Sequence, residues 1–267
     1  PTAFDPPADA RAFEEQSCLL QELVLRGHNV FRVPGAKEHA ERMQAADHPL
    51  AWLSRRLLAP DAELSLHVPR FTANGGVTFG APIVGAPLPA RAIGGSAPAV
   101  VDSEVIDQDS PLFAAVRGWL EASNGTVEGR LFRLTRPLDA GAVGRLWFSR
   151  LPAGALNAAL VTPQWSVDRV EVSGALAVLF GASHNGGAYG RREWGAYARL
   201  YAWQSLAALA GCAPAAMPED VALATDGCEW FAFSGTQWFA HVAWDLGLIC
   251  VRPDRRTVAL LAATDND

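Results

Sequence analysis

The spacing of apolar positions changes along the chain, and the changes mark out its elements. From Ala10 to Arg26, Phe13, Leu19, Leu20 and Leu23 recur at helical intervals and stop at Gly27, which suits a helix C-cap. The same spacing predicts helices from about Ala36 to Ala46 and across Leu50 to Leu58, the latter halted by Pro60. From Val68 to Asp109 the period is lost among Pro69, Pro82, Pro87, Pro89 and Pro98, with only short apolar pieces such as Val77 to Phe79. So long a loop is unusual inside a compact domain, so the stretch reads as an arm or linker, or as a loop holding one or two edge strands.

Beyond it the pattern alternates. Asp109-Ser110-Pro111 opens a helix with Leu112, Val116, Trp119 and Leu120 on one stripe, and Thr126 to Leu134 reads as a half-buried strand. A short helix is expected from about Asp139 to Arg150 and a strand from Val167 to Val172, while Leu156 to Val161 fits either state. The apolar run Gly174 to Gly181 leads into a glycine-rich loop, Gly181 to Gly190, and then a helix, Arg191 to Ala210, apolar round most of its circumference. Glu229 to Ser234 is a strand. Trp238 to Val251 is a longer one, with Trp238, Ala240, Val242, Trp244, Leu246, Leu248 and Cys250 on one face. Thr257 to Thr264 returns antiparallel after the turn Pro253 to Arg256, which sets Leu248 opposite Leu261 and Asp245 opposite Thr264.

The fold class is therefore α+β in a single domain: a helical part over 1–67, the loop or arm over 68–109, and a mixed α/β core over 110–267 with a buried aromatic helix and a C-terminal antiparallel hairpin. Composition narrows the chemistry. Lys37 is the only lysine against twenty-one arginines, which removes Walker A loops, protein kinases and Schiff-base chemistry. A net charge of -6 with dispersed arginines disfavours a nucleic-acid partner. The longest apolar runs fall far short of the roughly 18 residues that span a bilayer, so no membrane partner is expected. Cys18, Cys212, Cys228 and Cys250 form no C-x-x-C pair, which fits reduced thiols in a cytoplasmic protein. No G-x-S-x-G elbow or H-E-x-x-H motif is present.

Two constellations remain. A glycine-rich loop before a helix can aim backbone N-H groups at an anion, and here Ser183, His184 and Asn185 with Gly186, Gly187 and Gly190 would receive a phosphate or carboxylate. The opening Leu179 to Ser183 resembles the nucleotide loop of short-chain dehydrogenases over about ten residues, but the glycine spacing differs and no Tyr-x-x-x-Lys pair follows. At the end of the hairpin, Asp245 and Asp265 come close and His241 can join them, a set of oxygen-rich ligands suited to a divalent cation such as magnesium or calcium. No other cofactor is expected. Trp238 and Trp244 are assigned to the core, and Phe239, on the opposite face, marks an exposed patch.

The tail Ala243 to Asp267, with its Trp-Asp-Leu-Gly-Leu and Arg-Pro-Asp-Arg-Arg-Thr-Val-Ala-Leu-Leu segments, is similar to the carboxy-terminal hairpin of a bacterial family of unknown function common in actinobacteria and other GC-rich organisms. That resemblance implies no activity or ligand. The absence of catalytic motifs favours a non-catalytic binding factor whose partner is another protein. The alternative is a small-ligand or nucleotide-binding enzyme on the Gly181 to Gly190 loop, with His184 as an acid or base.

Overall fold

The computed structural model describes residues 3–64, 70–71, 77–78, 86–87, 98–139, 144–189, 193, 195–241 and 244–266, and these build an α+β fold. The amino-terminal part is helical. Helix Ala10–Leu25 starts where Asp9 accepts the amide of Ala12 at 2.8 Å and stops before Gly27, whose φ of 76° suits a residue without a β-carbon. Helix Ala36–Ala45 follows. In place of the third helix expected over Leu50 to Leu58 there are two 3-10 turns, Pro49–Trp52 and Ala59–Glu63, each with a proline in its opening turn.

Strands β1 (Arg70–Phe71) and β2 (Val77–Thr78) pair by themselves. Strands β3 (Ala86–Pro87), β4 (Val100–Val105), β5 (Thr126–Leu134), β6 (Val161–Val170), β7 (Glu229–Thr236), β8 (Trp244–Val251) and β9 (Thr257–Asp265) form one antiparallel sheet in the order β3-β6-β7-β8-β9-β5-β4. Both edges, β3 and β4, come from the Pro/Gly-rich stretch, most of which lies outside the described residues. The register at the final hairpin is the one its turn predicts, with Leu248 against Leu261 and Asp245 against Thr264.

Helices cover one face of the sheet. Leu246, Leu248, Cys250, Ala259, Leu261 and Ala263 pack there against helices Val172–Asn185 and Gly195–Ala210. The other face, with Phe231, Phe233, Ile249, Val258, Leu260 and Ala262, is covered by Phe148, Leu151 and Leu156 from the connection between β5 and β6. β9 is thus buried on both sides, which is why its sequence is apolar without alternation.

Helix Gly195–Ala210 is the central helix its composition suggests, and it carries a charge that the apolar pattern conceals. Arg199 is fully buried against the equally buried Asp61, with Nη2 2.7 Å and Nε 3.1 Å from the carboxylate. Its remaining donors reach Oε1 of Gln21 at 2.8 Å and the carbonyls of Ser54 at 2.9 Å and Arg56 at 3.1 Å. Asp61 also accepts from the Trp203 indole at 2.8 Å and the Leu58 amide at 2.9 Å. This network fastens the amino-terminal helices to the core.

Several boundaries differ from the sequence reading. The strand expected over Val167 to Val172 is the end of β6, which runs from Val161 to Val170, and the apolar run after it is helix Val172–Asn185. A continuous apolar run has no period that separates a buried strand from a buried helix, so packing decides. The helix expected from Asp139 to Arg150 is one turn, Arg145–Phe148. The long strand expected from Trp238 begins only at Trp244: the chain turns at Phe239, whose amide reaches the Thr236 carbonyl at 3.3 Å, and passes through a positive φ at His241. Trp238 therefore does not share a strand face with Trp244. Phe239 is not an exposed patch; it is 3% exposed, its ring packed against Phe233 and Trp238.

Candidate functional site

The glycine-rich segment is built differently from an anion-binding loop. Ser183, His184 and Asn185 form the last turn of helix Val172–Asn185, so the end they occupy carries the carbonyls and the negative pole of the helix. Gly186 caps it at a φ of 71°, and Gly187 follows at 75°. The amide of Ala188 donates to Oδ2 of Asp265 at 2.7 Å, and a β-carbon on Gly187 would collide with that same oxygen. The start of helix Gly195–Ala210 is capped as well: Glu22, reaching over from the first helix, accepts hydrogen bonds from the backbone of Gly195 and Ala196. The anions held by these amides are the protein's own carboxylates. Of the other residues predicted here, Gly190 lies outside the described residues, and His184 is buried, stacked on Phe180, with Nδ1 donating to the Glu193 carbonyl at 2.8 Å.

Two of the predicted residues do reach an opening. Ser183 and Gly186 line a cleft of about 80 Å³ together with Arg117, Glu121, Glu193 and Tyr201. Its floor is Trp119, whose indole donates to the Ala182 carbonyl at 3.0 Å. Ser183 is only 5% exposed, and neither its hydroxyl nor that of Tyr201 has a hydrogen-bond partner among the described residues. Burial raises the Tyr201 phenol, and Glu193, Glu121 and Glu14 raise it further against the opposing effect of Arg117. Among the described residues the lining carries the carboxylates of Glu121 and Glu193 and the guanidinium of Arg117.

Of the residues proposed for a metal, Asp245 and Asp265 lie on opposite faces of the sheet, while His241 Nδ1 stands 3.7 Å from Asp245 Oδ2. Asp245 pairs with Thr264 on one face, and Asp265 pairs with Trp244 on the other, because neighbours along a strand alternate. Asp245 accepts from the Thr264 hydroxyl at 2.6 Å and the His241 amide at 3.1 Å, while His241 Nε2 donates to the Thr236 carbonyl at 2.7 Å. Asp265 is buried under the glycine loop. No group of three potential ligands able to hold a metal occurs among the described residues.

A family model matches residues 1–267, the whole chain. The chain belongs to a family of unknown function, DUF6183. Comparison with curated proteins and with solved structures finds no match.

Beside the cleft, this DUF6183 member has a second polar cluster, on the first helix. Glu14 accepts from His48 Nε2 at 2.9 Å and from the Tyr197 hydroxyl at 2.8 Å. Burial acts to raise its carboxyl, but the bonds from His48, Tyr197 and Cys18 bring it below the usual range. Burial and the Glu14 charge push the Cys18 thiol up to about 12, and the same two influences raise the Tyr197 phenol. Each group is driven away from neutrality, the reverse of what a nucleophile or a general base requires. The sequence reading missed Glu22, Arg117, Glu121, Glu193, Arg199 and Tyr201. Only Arg199 carried a signal, as a lone charge in a helix apolar all round, which calls for a buried partner. The others converge from segments far apart in the chain.

Proposed function

We propose that this protein is a non-catalytic binding factor that receives a positively charged side chain of a partner protein in the Arg117–Tyr201 cleft. The observation that supports the reading is the cleft lining itself, in which Glu121 stands near Tyr201 and the hydroxyls of Tyr201 and the nearly buried Ser183 have no hydrogen-bond partner among the described residues. Cavities that enclose whole metabolites are several times larger, on the order of 300 Å³ and up, whereas this one suits the end of a lysine or arginine side chain. The alternative, an enzyme on the glycine-rich loop, loses its footing because Glu22 and Asp265 already hold the amides a phosphate would need. Four free cysteines and the arginine-rich composition favour a cytoplasmic protein of a GC-rich bacterium.

The test is thermal unfolding with Nα-acetyl-lysine amide, Nα-acetyl-arginine amide and Nα-acetyl-glutamate amide. At a hundred times its dissociation constant a ligand adds about 2.7 kcal/mol to stability. A cationic compound should raise Tm in the wild type, and the rise should shrink in Glu121→Gln. Preference for the glutamate derivative, or no shift with any of the three, overturns the reading.

A further inference from the structure

The two edges of the sheet are finished differently. β3 is two residues long and ends in Pro87, the usual means of closing an edge. β4 is six residues, Val100–Val105, with no proline, and all but the first are exposed. Val101 and Val105 are 63% and 65% exposed. The Ile106 amide bonds to the Gly129 carbonyl, so in this ladder the backbone groups of Glu104 turn toward β5 and those of Ser103 and Val105 turn outward.

The side chains say what fits there. Asp102 and Glu104 stand on the face of the helix layer, opposite Arg133 and Leu131, while Ser103 and Val105 stand on the other, opposite Phe132 and Arg130. Neither carboxylate has a salt-bridge partner within 4.0 Å among the described residues. If a second copy of the chain paired antiparallel through β4, the carboxylates would meet each other, since any register that keeps Ser103 and Val105 in the new ladder sets Asp102 or Glu104 opposite Glu104 of the other copy. Like charges directly opposed across a ladder are unfavourable. We infer that β4 is a docking edge for an extended segment of a partner protein with lysine or arginine at alternate positions and apolar residues between them, added as an eighth strand. The inference does not depend on the cleft, which lies elsewhere on the molecule and shares no residue with β4.

The test uses the full chain and two synthetic peptides, acetyl-Lys-Val-Lys-Val-Lys-Val-amide and its counterpart with glutamate in place of lysine, followed by amide NMR and calorimetry. The lysine peptide should move the resonances of Ser103 and Val105, and should still do so in Glu121→Gln, where binding at the cleft is weakened. Ser103→Pro, which removes one outward N-H and leaves the β5 ladder in place, should weaken it about tenfold. Asp102→Lys/Glu104→Lys should transfer the preference to the glutamate peptide, and this holds the inference to account if Ser103→Pro perturbs folding. The inference is overturned if neither peptide moves β4 resonances, if the lysine peptide binds the charge-reversed chain equally well, or if β4 resonances move on dilution of the protein alone, which signals self-pairing.

Discussion

Replacing Arg199 with methionine tests whether the buried ion pair holds the amino-terminal helices to the core. Arg199 and Asp61 are both fully buried, and every guanidinium donor direction is used, two toward Asp61 and three toward Gln21, Ser54 and Arg56. Methionine matches the stem but leaves the Asp61 charge with only the Trp203 and Leu58 N-H groups. Removing one partner of a buried pair costs about 3 to 5 kcal/mol. The three orphaned acceptors each add about 1 kcal/mol at the low end, so the total is about 6 to 8 kcal/mol, a large share of a typical folding free energy. Urea unfolding followed by both fluorescence and circular dichroism measures it, and coincidence of the two probes checks that the transition is single. Asp61→Leu added to Arg199→Met removes the stranded charge and should recover at least about 1 kcal/mol relative to additive losses. A single-variant loss under about 1 kcal/mol, or strict additivity in the double variant, refutes the argument.

Gly187→Ala forces a β-carbon into a φ of 75° and against the Asp265 carboxylate and Trp119, so it should lose about 2 to 4 kcal/mol in the same urea assay, whereas Gly118→Ala, in helix Arg117–Ala122 with open space for the methyl, should gain about 0.5 to 1 kcal/mol. His39, buried beside Phe4 and Phe13, is held down to about 4, by burial first and then by Arg42 and His48. A depressed base stabilises the fold fully above its unfolded value of 6.5 and loses that contribution as pH falls through 4, so stability should drop by at most about 3 kcal/mol across that window, and His39→Gln should flatten the drop in pH-dependent urea titrations. Glu14 titrates lower than usual and acts in the same direction, losing its contribution as pH falls through its depressed value, so the His39→Gln curve should keep a residual slope in acid. Cys18, pushed up to about 12, should alkylate with iodoacetamide at pH 8 far more slowly than a model thiol, and Glu14→Gln should speed it.

The sequence by itself determined what depends on local physics. Helical spacing and glycine caps fixed Ala10–Leu25 and Ala36–Ala45, and the length of one turn fixed the register that pairs Asp245 with Thr264. Where the chain is apolar on every side, period carries no information, and packing decided the outcome: the run after Val172 became a helix, and Phe239 turned into the second core and ended the strand expected to continue through it. The candidate site was legible only as an anomaly of composition. Glycines before a helix do mark amides able to hold an anion, but whether those amides remain free depends on carboxylates 77 or more positions away, Asp265 for one amide and Glu22 for the helix start. The cleft that stays open joins residues from four separated segments that only the tertiary fold brings together.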